Sequence, residues 1–306
     1  MKIAILSKGP GNYSTKRLKE EAIKRGHDVQ VINYAQCEAR IEQSNPVVTY
    51  NGEILKGFDA IIPRIASSYT RYGSAIVRQF EMQGVFTTTS SIAIVRSRDK
   101  LRATQLLARA GIGIPKTVFS RGHLTPPEID SLVEELGGPP VIIKLARGTH
   151  GRGVVLAETR KAARSVLQGF YIMEEEGTNI LLQEYIEEAS GADLRAFVIA
   201  GRVVASMKRQ GVEDDFRSNL HQGGQGSTVK LTDEERKIAI KAAKAMGLAI
   251  CGVDLVRSKR GPLVLEVNPS PGFGIEQVTG RNVAEKIIEY LELNAKRRQR
   301  KDRVGA

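Results

Sequence analysis

The sequence has little cysteine and no long hydrophobic run. Only Cys37 and Cys251 occur among its 306 residues, far apart and outside any CxxC or histidine-rich context. This argues against a disulfide framework and gives no support for a zinc site. No apolar stretch approaches the roughly 18 residues that span a bilayer, and residues 1–7 are too short for a signal peptide and are typical of a first β-strand. We therefore expect a cytoplasmic protein that does not enter a membrane.

Acidic residues are fewer than basic ones. The chain has 46 Lys and Arg against 34 Asp and Glu, which gives a net charge of +12 at pH 7. Residues 296–303 hold six basic residues and one acidic residue, and so supply +5 of this charge. Such a run is usually a solvated chain end. A basic surface nevertheless favours a polyanionic ligand, whether a nucleotide, an acidic peptide or RNA.

The length and the alternation of strands and helices predict several lobes. A chain of 306 residues is too long for one small core. The first third alternates strands with helices, which is typical of a parallel sheet. Asp99 is suited to cap a helix that begins at Lys100. We divide the chain into an N-terminal α/β domain (1–95), a central unit with a glycine-rich loop (96–183), a C-terminal unit (184–294) and a basic tail (295–306).

Two apolar segments, separated by a turn-forming sequence around Arg260, predict a β-hairpin. If the hairpin is centred there, Asp254 lies across from Glu266, and Asn268 shares a strand face with Glu266. Two carboxylates only ~5 Å apart repel unless a cation lies between them, and hard oxygen ligands suit Mg²⁺ or Mn²⁺. The alternative is a surface hairpin with scattered polar residues. That interpretation leaves unexplained why the polar side chains share one face of such apolar strands.

A loop that contains Gly148, Gly151 and Gly153 joins two other predicted strands. Glycine lets a loop backbone approach an anion closely and point successive N–H groups at it. A Walker loop or a dinucleotide fingerprint would run from a strand into a helix, so this loop matches neither. It is either a phosphate-binding loop or an ordinary hairpin turn. Lys144, in the apolar strand before the loop, favours phosphate binding because an interior lysine needs an anionic partner.

Two further segments are candidates for nucleotide contacts. Residues 179–188 begin as an apolar strand and become acidic, which suits an adenine edge and ribose hydroxyls, although a plain strand-to-loop transition gives the same pattern. Residues 214–224 form a long polar, glycine-rich loop, and such loops are usually functional or mobile. Arg217 could stabilise charge on a transferred phosphoryl group, with Asn219 orienting an oxygen. His221 is a weaker candidate for a base.

In their order and spacing, these four segments resemble the ATP-grasp ligases along nearly the whole chain. The resemblance is closest to the RimK family, on Arg98-Asp99-Lys100, residues 215–221, Gly252-Val253-Asp254 and Glu266-Val267-Asn268. It implies an α/β ATP-grasp fold with an N-terminal parallel-sheet (pre-ATP-grasp) domain. It also implies an ATP-dependent, ADP-forming ligase that adds L-glutamate to the acidic C-terminus of the sixth protein of the small ribosomal subunit. Poly-glutamate synthesis and a homo-oligomer are further implications.

The resemblance implies a role for each matched residue. The nucleotide would be bound by Lys100, Lys144, Gly148, Gly151, Gly153, Glu184, Tyr185, Asp193, Arg217, Ser218 and Asn219. The two lysines would hold the phosphates, the glycines would cover them, and Asp193 would lie on the ribose side. The Glu184-Tyr185 pair would meet adenine through backbone groups. Arg217 and Asn219 would also act in catalysis.

The same resemblance assigns the metal site to Asp254, Glu266 and Asn268, with two Mg²⁺ or Mn²⁺ ions. Two alternatives stay open. One is a sister ligase that acts on a small metabolite or an amino-group carrier protein. The other is a non-catalytic ribosome- or RNA-binding protein that works through its basic tail, although a binding module need not keep complete sets of metal ligands and lysines. The sequence departs from the family pattern in that tail and at residues 210–212, which bears on the choice of acceptor.

Overall fold

The computed structural model describes residues 1–121, 123–145, 153–173, 179–211 and 224–296. Its N-terminal lobe contains the following helices and strands: β1 (Lys2–Leu6), α1 (Tyr13–Lys24), β2 (Asp28–Ile32), β3 (Cys37–Arg40), β4 (Val47–Tyr50), β5 (Glu53–Leu55), β6 (Ala60–Pro63), α2 (Thr70–Met82), β7 (Phe86–Thr87) and α3 (Ser91–Arg98). Strands β2, β1, β6 and β7 form a parallel sheet in that order, as the sequence predicted. Strands β3, β4 and β5 form a separate antiparallel sheet.

The central unit is a helix-covered antiparallel sheet. Its elements are α4 (Lys100–Arg109), β8 (Thr117–Arg121), α5 (Pro126–Glu135), β9 (Val141–Leu145), β10 (Val154–Ala157), α6 (Arg160–Met173) and β11 (Asn179–Glu184). The strand order is β10, β9, β11, β8. Buried Ile129 and Val133 of α5 and Leu167 of α6 pack against Ile143 and Leu182 of the sheet. The opposite face of these strands carries the apolar Ile142 and Leu181 together with the polar Lys144 and Gln183.

The C-terminal unit is a second antiparallel sheet. Its elements are β12 (Ala192–Ile199), β13 (Arg202–Gln210), β14 (Gln225–Thr228), α7 (Asp233–Met246), β15 (Ile250–Ser258), β16 (Gly261–Asn268), α8 (Gly274–Thr279) and α9 (Val283–Ala295). The strand order is β14, β13, β12, β15, β16. The predicted hairpin is the β15–β16 pair. The proposed division of the chain at 95, 183 and 294 stays a prediction.

The N-terminal lobe and the C-terminal unit share one hydrophobic core. Ile3 and Ile5 of β1 belong to the same buried cluster as Phe197 of β12 and Phe273. Arg64, which follows β6, donates from Nη2 to the carbonyl of Pro271 at 2.7 Å and stacks over Phe273, 5.1 Å from the ring centre. The carboxyl end of the parallel sheet therefore lies beside the chain that leaves β16.

Local signals explain where two helices begin. Asp99 caps α4 as predicted, because its Oδ1 accepts a hydrogen bond of 2.9 Å from the Arg102 amide. Thr125 caps the start of α5, and Pro126 and Pro127 are its first residues. Thr125 and Glu128 form a reciprocal capping box, and prolines at the first helical positions lose no hydrogen bond there. No helix in the described ranges is long and apolar enough to cross a membrane.

Candidate functional site

A β-bulge sets the register of the β15–β16 hairpin at the predicted metal ligands. Ser258 pairs with Gly261 around the turn, and Leu255 pairs with Val264, but Asp254 pairs with Glu266, so Leu265 is the extra residue. Without this bulge Asp254 would face Leu265, and Glu266 would point to the other side of the sheet. The predicted pairing of Asp254 with Glu266 is thus confirmed, and the bulge is what produces it.

Two arginines hold the buried carboxylate of Asp254. Arg195 on β12 donates from Nε and Nη2 to its two oxygens, both at 2.7 Å, and Arg209 on β13 lies 2.8 Å from Oδ2. Only 4% of the Asp254 side chain is exposed. Burial alone would raise the pKa of Asp254, but the charges of the two guanidinium groups lower it well below its usual range. Asp254 therefore stays ionised.

Asp193 takes part in the same buried network. Both of its carboxyl oxygens accept hydrogen bonds from Arg209, which is 3% exposed. Because strand side chains alternate, Asp193 and Arg195 share one face of β12, and cross-strand pairing brings Arg209 and Asp254 onto it. The ribose contact inferred for Asp193 stays a prediction. In the structure its carboxylate is an ion-pair partner that helps to fix Arg209 against Asp254.

Glu266 differs from its cross-strand partner in being open to solvent. Its side chain is 60% exposed, and the Arg195 guanidinium lies 4.0 Å from its Oε1. Partial loss of hydration and the charge of Asp254 raise the pKa of Glu266, while the charges of Arg195 and Arg209 oppose this. Asn268, two residues further along the same face, accepts a hydrogen bond of 3.0 Å from the Ser270 amide through Oδ1.

These oxygens fit a hard cation such as Mg²⁺. Glu266 offers an accessible carboxylate, and Asn268 Oδ1 keeps a second lone pair beyond its bond to Ser270. Within the described residues, no group of three or more His, Cys, Asp and Glu side chains could hold a metal ion. A cation here would therefore need the Asn268 amide and oxygens from a bound substrate in addition to the carboxylates.

Lys100 and Lys144 reach the same region from the central unit. Lys100 Nζ donates to the carbonyl of Leu145 at 3.0 Å, and Lys144 Nζ donates to Oε1 of Gln183 at 2.6 Å. Burial lowers the pKa of Lys144 to about 8, and the charge of Glu266 partly opposes this. Burial also lowers the pKa of Lys100, and the charge of Glu266 partly opposes this. Both amines thus lie within electrostatic reach of the exposed carboxylate.

The glycine-rich loop is described only at its end. Gly153 has a φ of +73°, in the left-handed region that favours glycine. Its carbonyl accepts a hydrogen bond of 2.9 Å from the Leu145 amide, which closes the connection between β9 and β10. A Cβ at this position would lie 3.1 Å from Cδ1 of Leu145. Gly148 and Gly151 lie outside the described residues, so phosphate binding by this loop stays a prediction.

Glu184, predicted to meet adenine through its backbone, ends β11 and joins two sheets. Its amide donates to the carbonyl of Lys116 at 3.0 Å, and its carboxylate accepts hydrogen bonds from Arg260 in the β15–β16 turn and from the Lys116 amide. Tyr185 follows the strand and is half-buried. The adenine contact of this pair stays a prediction.

Several predicted site residues lie outside the described part of the chain. They are Arg217, Ser218, Asn219, His221 and residues 297–306 of the basic tail. Their inferred roles stay predictions.

Sequence reasoning assigned no role to four arginines near the site: Arg64, Arg98, Arg195 and Arg209. Two of them carried a usable signal. The alternation of Asp193 with Arg195 in an otherwise apolar strand indicates a buried charged face, and Arg209 occupies the corresponding position in the next strand. Arg64 and Arg98 end a strand and a helix that are far apart in sequence, so their convergence required the fold.

Comparisons with known proteins agree with this architecture. Residues 97–291 match the model of the RimK-like ATP-grasp domain, and residues 1–94 match that of the RimK PreATP-grasp domain. The chain is 58% identical over 305 residues to a "Probable alpha-L-glutamate ligase" of Picosynechococcus sp., with 99% of each chain covered. It is 56% identical over 304 residues to a protein of the same name from Hydrogenovibrio crunogenus, again with 99% of each covered. The ATP-grasp ligase PsnB, solved with minimal precursor, Mg and ADP, has the same fold, with a TM-score of 0.72, 18% identity, and 97% of this chain and 98% of that chain covered.

Proposed function

The chain belongs to the RimK family of ATP-grasp ligases, and we propose that it is an ADP-forming ligase that joins the amino group of L-glutamate to a carboxylate of an acceptor. One observation carries the proposal. The exposed carboxylate of Glu266 acts electrostatically on Lys100, Lys144 and Arg98, and lies 4.0 Å from Arg195. These cations come from both halves of the sequence. Their convergence supports a site that neutralises an anionic substrate, as ATP-grasp chemistry requires.

The balance of charge supports an anionic substrate. Among the described residues, Glu266 is surrounded by five cations (Arg98, Lys100, Lys144, Arg195 and Arg209), and the carboxylates in the same region are Asp193, Asp254 and Glu266 itself. The buried Asp254 and Asp193 are already paired with arginines. The Lys144 amine instead donates to a side-chain amide, which is uncharged. A buried charge of this kind favours the binding of a polyphosphate.

The reaction has two steps. A carboxylate oxygen of the acceptor attacks the γ-phosphorus of ATP, the bond from that phosphorus to the bridging oxygen breaks, and ADP leaves. The neutral amine of glutamate then attacks the acyl carbon, the bond to the phosphate oxygen breaks, and phosphate leaves with the electron pair while the new amide nitrogen loses its extra proton. In the first step, the acceptor carboxylate and the γ-phosphate of ATP are both anionic, and the ADP that leaves takes up further negative charge. Neutralising them is therefore the main catalytic task.

Different residues would neutralise different anionic groups. Lys100 and Lys144 would neutralise the phosphates, and Gln183 holds the Lys144 amine in place at 2.6 Å. Arg217 and Asn219 would contact the transferred phosphoryl group and the substrate carboxylate. Bound Mg²⁺, or Mn²⁺ on the same ligands, would be held by Asp254, Glu266 and Asn268 and would supply charge neutralisation at the phosphate oxygens. Arg195 and Arg209 keep Asp254 ionised and correctly placed.

The acceptor that fits best is an acidic polypeptide C-terminus, such as that of the small-subunit ribosomal protein inferred above. The net charge of +12 and the basic residues 296–303 favour such a chain and its extension by several glutamates. The test is mass spectrometry of that ribosomal protein after incubation with enzyme, ATP, Mg²⁺ and glutamate. A ladder of added glutamate residues at its C-terminus is expected. If no ladder forms, and ADP is released instead with a small metabolite or a carrier protein as acceptor, the protein is a sister ligase that acts on that acceptor.

A further inference from the structure

Two arginines near the site have no carboxylate partner within the described residues. Arg64 donates from Nη2 to Ser14 Oγ at 3.1 Å and to the carbonyl of Pro271 at 2.7 Å. Arg98 donates from Nη2 to the carbonyl of Ile65 at 3.2 Å. All three acceptors are uncharged. By contrast, Arg195 and Arg209 each bind a carboxylate through two nitrogens.

The two guanidinium groups lie close enough to repel each other. Burial, reinforced by the charge of Arg98, lowers the pKa of Arg64 to about 10. Burial lowers the pKa of Arg98 as well, and Glu266 opposes this. Two partly buried like charges are unfavourable unless an anion joins them. Within the described residues, no carboxylate is hydrogen-bonded to either arginine to balance this pair of charges.

Unused hydrogen-bonding atoms lie in the same place. In the part of the chain that the structure describes, Nε of Arg98 and Oγ of Ser270 are buried and have no hydrogen-bond partner. Arg64 binds the carbonyl of Pro271, the residue after Ser270. Arg98 binds the carbonyl of Ile65, the residue after Arg64. The two arginines and Ser270 are therefore neighbours in space. A buried donor without a partner costs free energy, so this cluster favours a ligand that supplies hydrogen-bond acceptors.

The arginine pair lies next to the reaction site but is held by different residues from Lys100 and Lys144. Arg98 ends α3, which packs against β16, the strand that carries Glu266 and Asn268. Lys100 and Lys144 are instead bonded to residues of the central sheet. The two groups of cations flank Glu266 from different units of the fold. The two groups of cations are therefore held in place independently of each other.

We propose that Arg64 and Arg98, with Ser270, form a subsite for a carboxylate of the amino-acid substrate that does not react. This inference rests on the proposed function, in which L-glutamate reacts through its amine and keeps both of its carboxylates. Those two negative charges must approach the phosphates of ATP, so they need cations of their own. The planar guanidinium fork matches a carboxylate in a two-bond geometry, and the Ser270 hydroxyl supplies a further donor.

The variants Arg64→Lys, Arg98→Lys and Arg98→Gln test the subsite. Isothermal titration of L-glutamate into enzyme loaded with Mg²⁺ and a non-hydrolysable ATP analogue should show affinity lowered about ten- to a hundredfold, since charged hydrogen bonds are lost. ATP affinity and the KM for the acceptor should stay within about twofold. Arg96→Gln is the matched control. Arg96 lies on the same helix and also donates one bond to a carbonyl, that of Met246 at 3.1 Å, so glutamate affinity should not change.

A substrate series makes the test specific to a carboxylate. L-Glutamine lacks the side-chain carboxylate of glutamate, and L-isoglutamine lacks the α-carboxylate. Wild-type enzyme should bind one of them much more weakly than glutamate, and Arg98→Gln should lose most of that discrimination. Unchanged glutamate affinity in all folded variants, or a rise in acceptor KM alone, would overturn the subsite. Wild-type enzyme that never ligates glutamate would instead overturn the proposed function.

Discussion

Asp254 lies directly opposite Glu266 in the hairpin, yet the two carboxylates have opposite surroundings. Asp254 is 4% exposed, and both of its oxygens bind guanidinium groups, whereas Glu266 is 60% exposed and has Arg195 at 4.0 Å. The arginines therefore fix the charge of Asp254 in place, and Glu266 is the more accessible of the two carboxylates. This difference leads to separate predictions for Glu266 and for Arg209, which holds Asp254.

Replacing Glu266 should abolish ligation and leave the fold intact. Glu266→Gln removes the accessible charge without changing the shape of the side chain, so kcat should fall by at least about a hundredfold. Because the side chain is 60% exposed, the free energy of unfolding should change by less than about 1 kcal/mol. Glu53→Gln, an exposed strand carboxylate in the N-terminal lobe, is the control and should keep full activity. Turnover near wild type at saturating Mg²⁺ would remove Glu266 from the metal site.

Replacing Arg209 should damage stability as well as activity. Arg209→Leu leaves Asp193 and Asp254 buried with fewer partners, and breaking a buried pair typically costs about 3–5 kcal/mol. Chemical denaturation measures this directly. The double variant Arg209→Leu/Asp193→Leu should be less destabilised than the sum of the single variants. Strict additivity would mean that the Asp193–Arg209 contact carries no energy.

The affinity for ATP should depend on pH through Lys144. Burial lowers the pKa of this amine to about 8, and the protonated form is the one that attracts phosphate. Affinity should therefore be steady below that pH and fall above it, by up to about tenfold per pH unit. Lys144→Met should bind ATP more weakly and lose this part of the pH dependence. Calorimetry at several pH values measures both effects.

The control for this experiment is Lys161→Met, because Lys161 is an exposed lysine of α6. It should retain the wild-type profile. If Lys144→Met binds ATP as tightly as wild type at neutral pH, Lys144 has a structural role through Gln183 instead.

Replacing Gly153 by alanine should destabilise the protein more than the same change at a glycine with free space around it. Gly153→Ala forces a residue with a Cβ to φ +73° and places that Cβ 3.1 Å from Leu145, so we expect a loss of at least about 1 kcal/mol. Gly84 has a similar φ of +76°, but a Cβ added there would have nothing within 4 Å. Gly84→Ala is therefore the matched control. Equal melting temperatures for the two variants would show that contact with Leu145 is unimportant.

The basic tail should strengthen binding of the acceptor and leave binding of ATP unchanged. Deleting residues 296–306 removes the +5 cluster of residues 296–303, and so should raise the KM for an acidic acceptor. Attraction between exposed charges is screened over about 10 Å at 0.1 M salt, so the difference from the full chain should shrink as ionic strength rises. Steady-state kinetics at low and high salt measure this. A KM for ATP that rises in parallel would contradict the assignment.

The elements of the fold could be predicted where local chemistry decides them. Asp99 as a helix cap, the parallel N-terminal sheet and the hairpin with Asp254 across from Glu266 all follow from short-range patterns. The bulge at Leu265 could not be predicted, because an extra residue in one strand is fixed by packing on both faces of the sheet.

The electrostatic surroundings of the site required the three-dimensional structure. The family resemblance implied a ribose contact for Asp193, but a ribose contact and an ion pair with Arg209 have the same local sequence signal. Arg64 and Arg98 approach each other only because β6 and α3 end side by side next to the chain that follows β16. Residues that are distant in sequence converge through tertiary contacts, which residue spacing does not encode.

Transfer of labelled oxygen tests the central claim most directly, namely that this site phosphorylates an acceptor carboxylate and then ligates glutamate to it. An acceptor whose C-terminal carboxylate carries the heavy isotope of oxygen is incubated with enzyme, ATP, Mg²⁺ and glutamate, and the released phosphate is examined by mass spectrometry. We expect one labelled phosphate for each acceptor chain that receives its first glutamate, unlabelled phosphate from any later additions, and no labelled phosphate with Glu266→Gln. Addition of the first glutamate with unlabelled phosphate, or phosphate release that does not require glutamate and the acceptor, would contradict the mechanism.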